Sequence, residues 1–207
     1  MIRLLLLALV LLACATNSFS QLDSMEQIDT ATFGEMREVE RYQLKIAEKY
    51  YLKGEYKIAL DEYEKFLTLY ESSPGAPYSQ LMWSHCLVKL RKVNTAIRDG
   101  FRSVIDYWPD SREATLAAYL IASAYRSIGE TENAEGAYLE VINRHPEDMV
   151  ATLSRVDLLK MARAKKDTKR RLELLAALAY ETERNEANKG HAINAARELA
   201  SHHLHLA

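Results

Sequence analysis

The amino-acid sequence predicts an all-α protein, an α-solenoid of antiparallel helix pairs with a helical cap at its C-terminal end. Two observations predict this fold. A Gly-x4-Ala-x3-Tyr pattern at residues 54–63 returns at 129–138, and a weaker copy is centred on Ala96. Apolar residues recur at helical spacing between the few prolines, and no sustained alternation indicates a strand. Self-similarity at a fixed period is typical of stacked repeats, since each unit has an apolar face that it cannot cover alone.

Each position of the pattern has a structural role. One alanine per copy is expected where two helices cross closely; the three are spaced 37 and 38 residues apart and are Ala59, Ala96 and Ala134. Gly54 and Gly129 fall in turns, where a positive φ is favourable for glycine. The middle copy has Arg91 at the Gly position and Gly100 at the Tyr position. We therefore expect looser packing in the second unit, or room there for a ligand.

The apolar spacing predicts four helix pairs and one further helix. Pro74, Pro77, Pro109 and Pro146 separate the units, because proline interrupts helices. The predicted pairs are 37–53 with 55–71, 77–91 with 93–107, 111–128 with 130–144, and 148–165 with 168–184, followed by a last helix over 189–203.

The N-terminus has the form of an export signal. Met1-Ile2-Arg3 carries one positive charge, and residues 4–15 are apolar apart from Cys14. A helix of that length spans about 18 Å, which is too short for a bilayer core of about 30 Å. We expect residues 1–20 to be a signal peptide and the mature protein to act outside the cytoplasm, in the periplasm or on the periplasmic face of an outer membrane.

The end of this signal is open to two interpretations. Leu11-Leu12-Ala13-Cys14 is similar to a bacterial lipobox, which would make Cys14 the lipidated first residue of a lipoprotein. Leu12 departs from the small residues usual at its position. Ordinary cleavage after Ala15 or Ser20 is the alternative.

The rest of the chain divides by composition. Residues 21–36, rich in Ser, Thr, Asp and Gln, are predicted to be a tether or a loose first turn. Residues 37–147 hold three repeats, and residues 148–207 hold the divergent fourth pair and the capping helix.

Composition narrows the functional classes. With 27 Lys and Arg against 29 Asp and Glu, the chain is nearly neutral, which argues against a dedicated nucleic-acid binder. If Cys14 is lipidated or removed, Cys86 is the remaining cysteine and no intramolecular disulfide forms. No phosphate-binding glycine loop, His-Glu-x-x-His or Gly-x-Ser-x-Gly motif occurs. We therefore expect no enzyme, cofactor, bound metal or small-molecule substrate.

At the repeat positions the chain resembles the tetratricopeptide repeat (TPR) family, over about residues 37–147. The linkers Tyr70–Ser79 and Tyr107–Ser111 are similar to those of bacterial envelope repeat proteins. That group includes the outer-membrane β-barrel assembly lipoprotein D and the Tol–Pal-associated cell-division coordinator. The resemblance implies a right-handed superhelix with a concave groove for protein partners.

In the family, the first helix of each unit lines the groove. Mapped by repeat position, the candidate partner-binding residues are Arg41, Lys45, Glu48, Tyr51, Tyr78, Met82, His85, Lys89, Tyr119, Ser123 and Arg126. Aromatic and basic side chains together suit an extended or helical peptide with some acidic residues. The carboxylate-clamp positions of the chaperone-binding branch hold Leu44, Glu48, Met82, Leu116 and Leu120, so a C-terminal carboxylate is not the expected ligand. An ordinary solvated face is the alternative.

Three smaller features carry weaker hypotheses. A run of basic residues could dock anionic lipids or an acidic partner, or favour a helix end; it comprises Lys160, Arg163, Lys165, Lys166, Lys169, Arg170 and Arg171. His202, His203 and His205, with His191 before them, could bind zinc or copper at the chain end. His85 and Cys86 are neighbours on a helix and point about 100° apart, so they are not expected to act as a catalytic pair.

The sequence therefore predicts an exported scaffold for protein–protein interactions in bacterial envelope assembly or organisation, with a lipid anchor if the lipobox is used. A soluble periplasmic adaptor that acts through oligomers is the second hypothesis. A metal-binding protein that uses the His-rich C-terminus is a distant third.

Overall fold

The computed structural model describes residues 27–182 and 184–204, which are helical with short connections. The predicted signal, Cys14 and His205 lie outside these residues. The described chain divides into two compact parts, each larger than a repeat: residues 28–137 and residues 138–204. In the residues described, no helix is both long enough and apolar enough to cross a membrane.

Ten helices occur in the described ranges, and the all-α prediction is confirmed. The nine predicted helices are present, with ends that differ from the predicted ones by at most about three residues. They are α1 Thr30–Glu35, α2 Glu38–Leu52, α3 Tyr56–Leu69, α4 Ala76–Lys89, α5 (continuous segments Val93–Thr95, Ala96–Phe101 and Arg102–Tyr107), α6 Arg112–Ser127, α7 Thr131–Arg144, α8 Met149–Ala164, α9 (Thr168–Ala176 continued by Ala177–Glu181) and α10 Lys189–Leu204.

In all four helix pairs, the turn between the two helices contains one residue in the left-handed backbone conformation. Gly54, Arg91, Gly129 and Lys166 have φ of 76°, 61°, 82° and 55°. In each turn this residue donates its N–H to the carbonyl three residues back, and the next residue donates to the carbonyl five residues back. These bonds satisfy carbonyls that a helix end leaves free. The fourth pair, which lacks the sequence pattern, therefore ends its first helix as the others do.

The repeat alanines behave as predicted, because Ala59, Ala96 and Ala134 are fully buried. The expectation for Gly100 was wrong. A Cβ added at Gly100 would lie 2.4 Å from Oγ of Ser84, so this glycine marks a close helix approach and leaves no room for a ligand.

The second unit keeps its aromatic residue through a π-helical turn. Residues Ala96–Phe101 of α5 are π-helical, and Arg102 donates its N–H to the carbonyl of Ile97. Such a turn inserts one extra residue into a helix. Phe101, one position after the expected one, is 1% exposed and fills the core as Tyr63 and Tyr138 do in their units. The second unit is therefore well packed.

The tether prediction is wrong for residues 28–36. Asp29 caps α1 by accepting hydrogen bonds from the N–H groups of Ala31 and Thr32, at 3.0 and 3.1 Å. Met36 is 2% exposed, and Ile28 and Phe33 pack against the same hydrophobic core. Apolar residues at 28, 33 and 36 hold this segment on the repeats despite its polar composition.

Candidate partner-binding site

The candidate site is built on the first helices of three successive units, all within residues 28–137. Helices α2, α4 and α6 form a row: Tyr78 of α4 donates its hydroxyl to Oε1 of Glu48 on α2 at 2.9 Å, and α4 also packs against α6. Side chains from three units are therefore brought to neighbouring helices, as the repeat mapping predicted.

Four predicted groove residues lie in the interior. Tyr78, His85 and Tyr119 are 4%, 8% and 5% exposed, and Met82 is buried as well. Side chains with so little accessible surface pack between helices and offer almost nothing to a partner. Their assignment as partner contacts is corrected to a packing role. Mapping by repeat position could not separate packing residues from partner contacts. Both kinds of residue lie on the side of a first helix that faces the first helix of the next repeat.

The other predicted residues reach the surface. Lys45, Lys89 and Arg126 are exposed; Arg41, Glu48, Tyr51 and Ser123 are half-buried. We call these seven residues the inner face. Lys89 and Arg126 lie in the last turns of α4 and α6, where the negative end of the helix dipole favours a cation. The inner face therefore carries four basic side chains against one carboxyl group.

That carboxyl group, Glu48, is partly withdrawn from water. Burial raises the pKa of Glu48 above its usual range, against the opposing effects of the Tyr78 hydrogen bond and the Lys45 charge. Since Tyr78 already donates to it, Glu48 is an oriented acceptor and adds less negative potential than a solvated carboxylate. The surface is thus suited to an acidic ligand.

Sequence reasoning missed Phe33 of α1, which contacts the inner face directly. The Phe33 ring centre lies 5.3 Å from Nζ of Lys45 and 6.0 Å from Cζ of Arg41, within the range of cation–π contacts. Arg41 also donates to the carbonyl of Gly34 at 3.4 Å. The available signal was the apolar spacing of Ile28, Phe33 and Met36, which the polar composition of residues 21–36 obscured.

An open cleft of about 620 Å³ lies beside these contacts, around the N-terminal half of α2. Its lining includes the carboxyl group of Glu38 beside Arg41, Tyr42, Lys45 and Tyr70. Tyr42 is strongly exposed, so the cleft joins an aromatic ring to two cations. This combination suits a mixed aromatic and acidic ligand.

The structure gives His85 and Cys86 no catalytic arrangement. Burial lowers the pKa of His85 to about 4, and the Lys89 charge adds to this effect. Burial raises the pKa of the fully buried Cys86 thiol to about 12. A protonated, inaccessible thiol is a poor nucleophile.

The structure describes parts of two further candidate sites. Lys160, Arg163 and Arg170 of the basic run pair with Asp157, Glu198 and Glu173, which reduces its local charge. His202 and His203 are ring neighbours at 5.9 Å. In the described part of the chain, no three His, Cys, Asp or Glu side chains are grouped to hold a metal ion.

Comparison with known proteins agrees with this architecture. Residues 116–148, which include most of α6 and all of α7, match the family model of a tetratricopeptide repeat. No curated protein matches the chain. Two crystal structures of nearly identical TPR-like repeats, from a Podosopora anserina protein assigned to the kinesin light chains, have TM-scores of 0.55 and 0.54. Both are 18% identical to this chain and cover 78% of it and 83% of their own length.

At that identity the likeness to solved structures shows the fold alone. The chain has the fold of TPR-like helical repeats, and most of its third predicted unit matches the tetratricopeptide repeat model. Such repeats are typically non-catalytic surfaces for protein partners. The narrower resemblance to the β-barrel assembly lipoprotein and the Tol–Pal coordinator stays a prediction.

Proposed function

We propose that this protein is an exported scaffold that binds a protein partner on its inner face and serves bacterial envelope assembly or organisation. The observation that carries the binding proposal is the row of first helices, which presents Arg41, Lys45, Lys89 and Arg126 from three successive units. The export proposal is supported by the signal-like sequence of residues 1–20.

The expected partner is an extended or helical peptide segment with acidic residues. The four cations lie on one face of a chain whose formal net charge is only −2, so the attraction is local to that face. Half-buried Tyr51 and exposed Tyr42 add aromatic surface near the cations. Both features are common in peptide-binding surfaces.

The proposal has two versions, a lipid-anchored protein and a soluble periplasmic protein, and the mature N-terminus distinguishes them. Acylated Cys14 as the first residue would make the protein an outer-membrane lipoprotein. A mature chain that begins at Ala15, Thr16 or Gln21 would make it a soluble periplasmic adaptor. Mass spectrometry of protein purified from its native cells decides between them, and an uncleaved Met1 would contradict export altogether.

Crosslinking in native cells, followed by mass spectrometry, identifies the partner and tests the inner face. We expect the double variant Lys89→Glu/Arg126→Glu to capture the partner at least about tenfold less, corresponding to roughly 1.4 kcal/mol of binding free energy. Its helicity is expected to be kept and its melting temperature to fall by only a few degrees, because both residues are exposed but lie at helix ends that favour a cation.

A matched control makes the same change in charge elsewhere. Lys165→Glu/Lys169→Glu alters two exposed cations of the basic run in residues 138–204. We expect this variant to capture the partner normally. Loss of capture in this control, with normal capture by the inner-face variant, would move the binding site to the basic run.

A further inference from the structure

We infer that residues 28–36 are an intramolecular ligand of the inner face. The face binds a short helix through an aromatic side chain and a backbone carbonyl at its C-terminal end, and the chain's own copy competes with the partner for it. The regulatory part of this inference rests on the proposed function.

The aromatic position is Phe33, whose ring is held by two cations of the inner face. Lys45 and Arg41 lie one helical turn apart on α2, and both charges approach the ring within 6.0 Å. The Arg41 guanidinium also reaches the Gly34 carbonyl, which is free to accept at the end of a short helix. The inner face therefore contacts both an aromatic ring and a backbone carbonyl at the C-terminal end of α1.

Asp29, four residues before Phe33, caps the segment's own helix, where its carboxylate accepts hydrogen bonds from the N–H groups of Ala31 and Thr32 at 3.0 and 3.1 Å. Hydrogen bonds from the backbone N–H of Thr32 and Ala31, with the positive charge of Arg112, lower the pKa of Asp29 below its usual range. Arg112 begins α6, the first helix of the third unit, whereas Phe33 contacts α2 of the first. The segment's contacts with the inner face itself are those of Phe33 and Gly34 with Lys45 and Arg41.

The segment is suited to reversible release. A six-residue helix does not persist alone in water, so α1 depends on its contacts with the repeats. No residue of α1 is fully buried, whereas Met36 at its end is anchored in the core. Residues 28–35 can therefore leave the face while Met36 stays in place, and their departure uncovers only the apolar surface that Ile28 and Phe33 cover. A covalently linked copy acts at an effective concentration in the millimolar range, so a partner must bind better than it does.

The test measures binding of a free copy of the segment to the full chain. The probe is a fluorescein-labelled peptide with the sequence of residues 28–37, titrated to about 1 mM by fluorescence anisotropy. We expect Phe33→Ala, which weakens the internal copy, to bind the peptide at least about fivefold tighter than the natural chain. Lys45→Glu added to Phe33→Ala should abolish that binding.

Glu35→Ala is the matched control, since Glu35 is exposed and lies in the same helix. It should bind the probe as the natural chain does. The inference is overturned if Phe33→Ala shows no saturable binding, or no gain over the natural chain and Glu35→Ala. A purely structural role for α1 would instead lower the melting temperature of Phe33→Ala without creating a site for the peptide.

Failure here is distinguishable from failure of the proposed function. If the peptide does not bind but Lys89→Glu/Arg126→Glu loses the native partner, the inner face is a partner site and the intramolecular-ligand inference is wrong. If the peptide binds Phe33→Ala but the double variant still captures the native partner, the proposed function is wrong and the self-contact stands.

Discussion

His85 shows how a single buried side chain couples this fold to pH. Its ring packs edge-to-face on Phe101, with the centroids 5.6 Å apart, and burial lowers its pKa to about 4. The imidazole is therefore neutral in the folded chain at pH 7. In the unfolded chain it regains a pKa near 6.5, so acid protonates the unfolded state first.

We therefore predict that His85 destabilises the fold as pH falls from about 6.5 toward 4. Above about pH 7.5 its contribution is nearly constant; at pH 5.5 the loss is about 1.4 kcal/mol relative to pH 7.5. Urea unfolding at the two pH values measures it. His85→Gln should lose this part of the pH dependence and His203→Gln, at an exposed position, should keep it. Equal pH dependence in all three proteins would contradict the assignment.

Gly100 is a second residue that its surroundings constrain, since they leave no space for a side chain. Its added Cβ would meet Oγ and Cβ of Ser84 at 2.4 and 2.8 Å, shorter than van der Waals contact. We predict that Gly100→Ala costs about 1–3 kcal/mol, because the two helices must move apart. Gly136→Ala is the control: Gly136 is exposed inside α7 with open space around it, and alanine there should stabilise by about 0.5–1 kcal/mol. Thermal melting of both variants separates the steric cost from helix propensity.

At the scale of the element, the turns between paired helices supply a prediction. Arg91 and Lys166 adopt φ of 61° and 55°, which disfavour residues with a Cβ. We predict that Arg91→Gly and Lys166→Gly each stabilise by about 0.5–1 kcal/mol, and that Gly129→Ala destabilises by about 1 kcal/mol. Denaturant unfolding provides the free energies. If Gly129→Ala were neutral, the left-handed turn would not be a constraint.

The helices could be predicted from sequence because local signals determine them. Apolar periodicity, prolines between units and turn glycines located nine helices. The π-helical turn in α5 could not be predicted in this way, since it depends on how Gly100 approaches Ser84 across the unit. The left-handed turn at Lys166 has no glycine to mark it, so the fourth pair looked more divergent in sequence than it is in structure.

The candidate site could be predicted only in part, because burial and contacts at the site depend on how the whole molecule folds. Repeat mapping found the row of first helices, because equivalent positions fall on equivalent faces. It could not tell buried Tyr78 from exposed Lys89, as burial depends on the neighbouring unit. It also missed Phe33, since contact between residues 33 and 45 depends on how the chain folds back before α2.

Charge distribution gives the last prediction at this scale. The chain as a whole is slightly acidic, at −2, so it has no net attraction for an acidic partner. Electrostatic attraction must therefore come from a local group of cations, which we expect to be the inner face, and its field is screened beyond about 8 Å at physiological ionic strength. We predict that partner capture by the natural chain weakens steeply between about 0.05 and 0.5 M salt, whereas residual capture by Lys89→Glu/Arg126→Glu changes little. Pull-down across a salt series measures this, with Lys165→Glu/Lys169→Glu expected to follow the natural chain. Equal salt dependence in all three proteins would mean that the inner-face cations do not attract the partner, and that its apolar and aromatic contacts hold the complex.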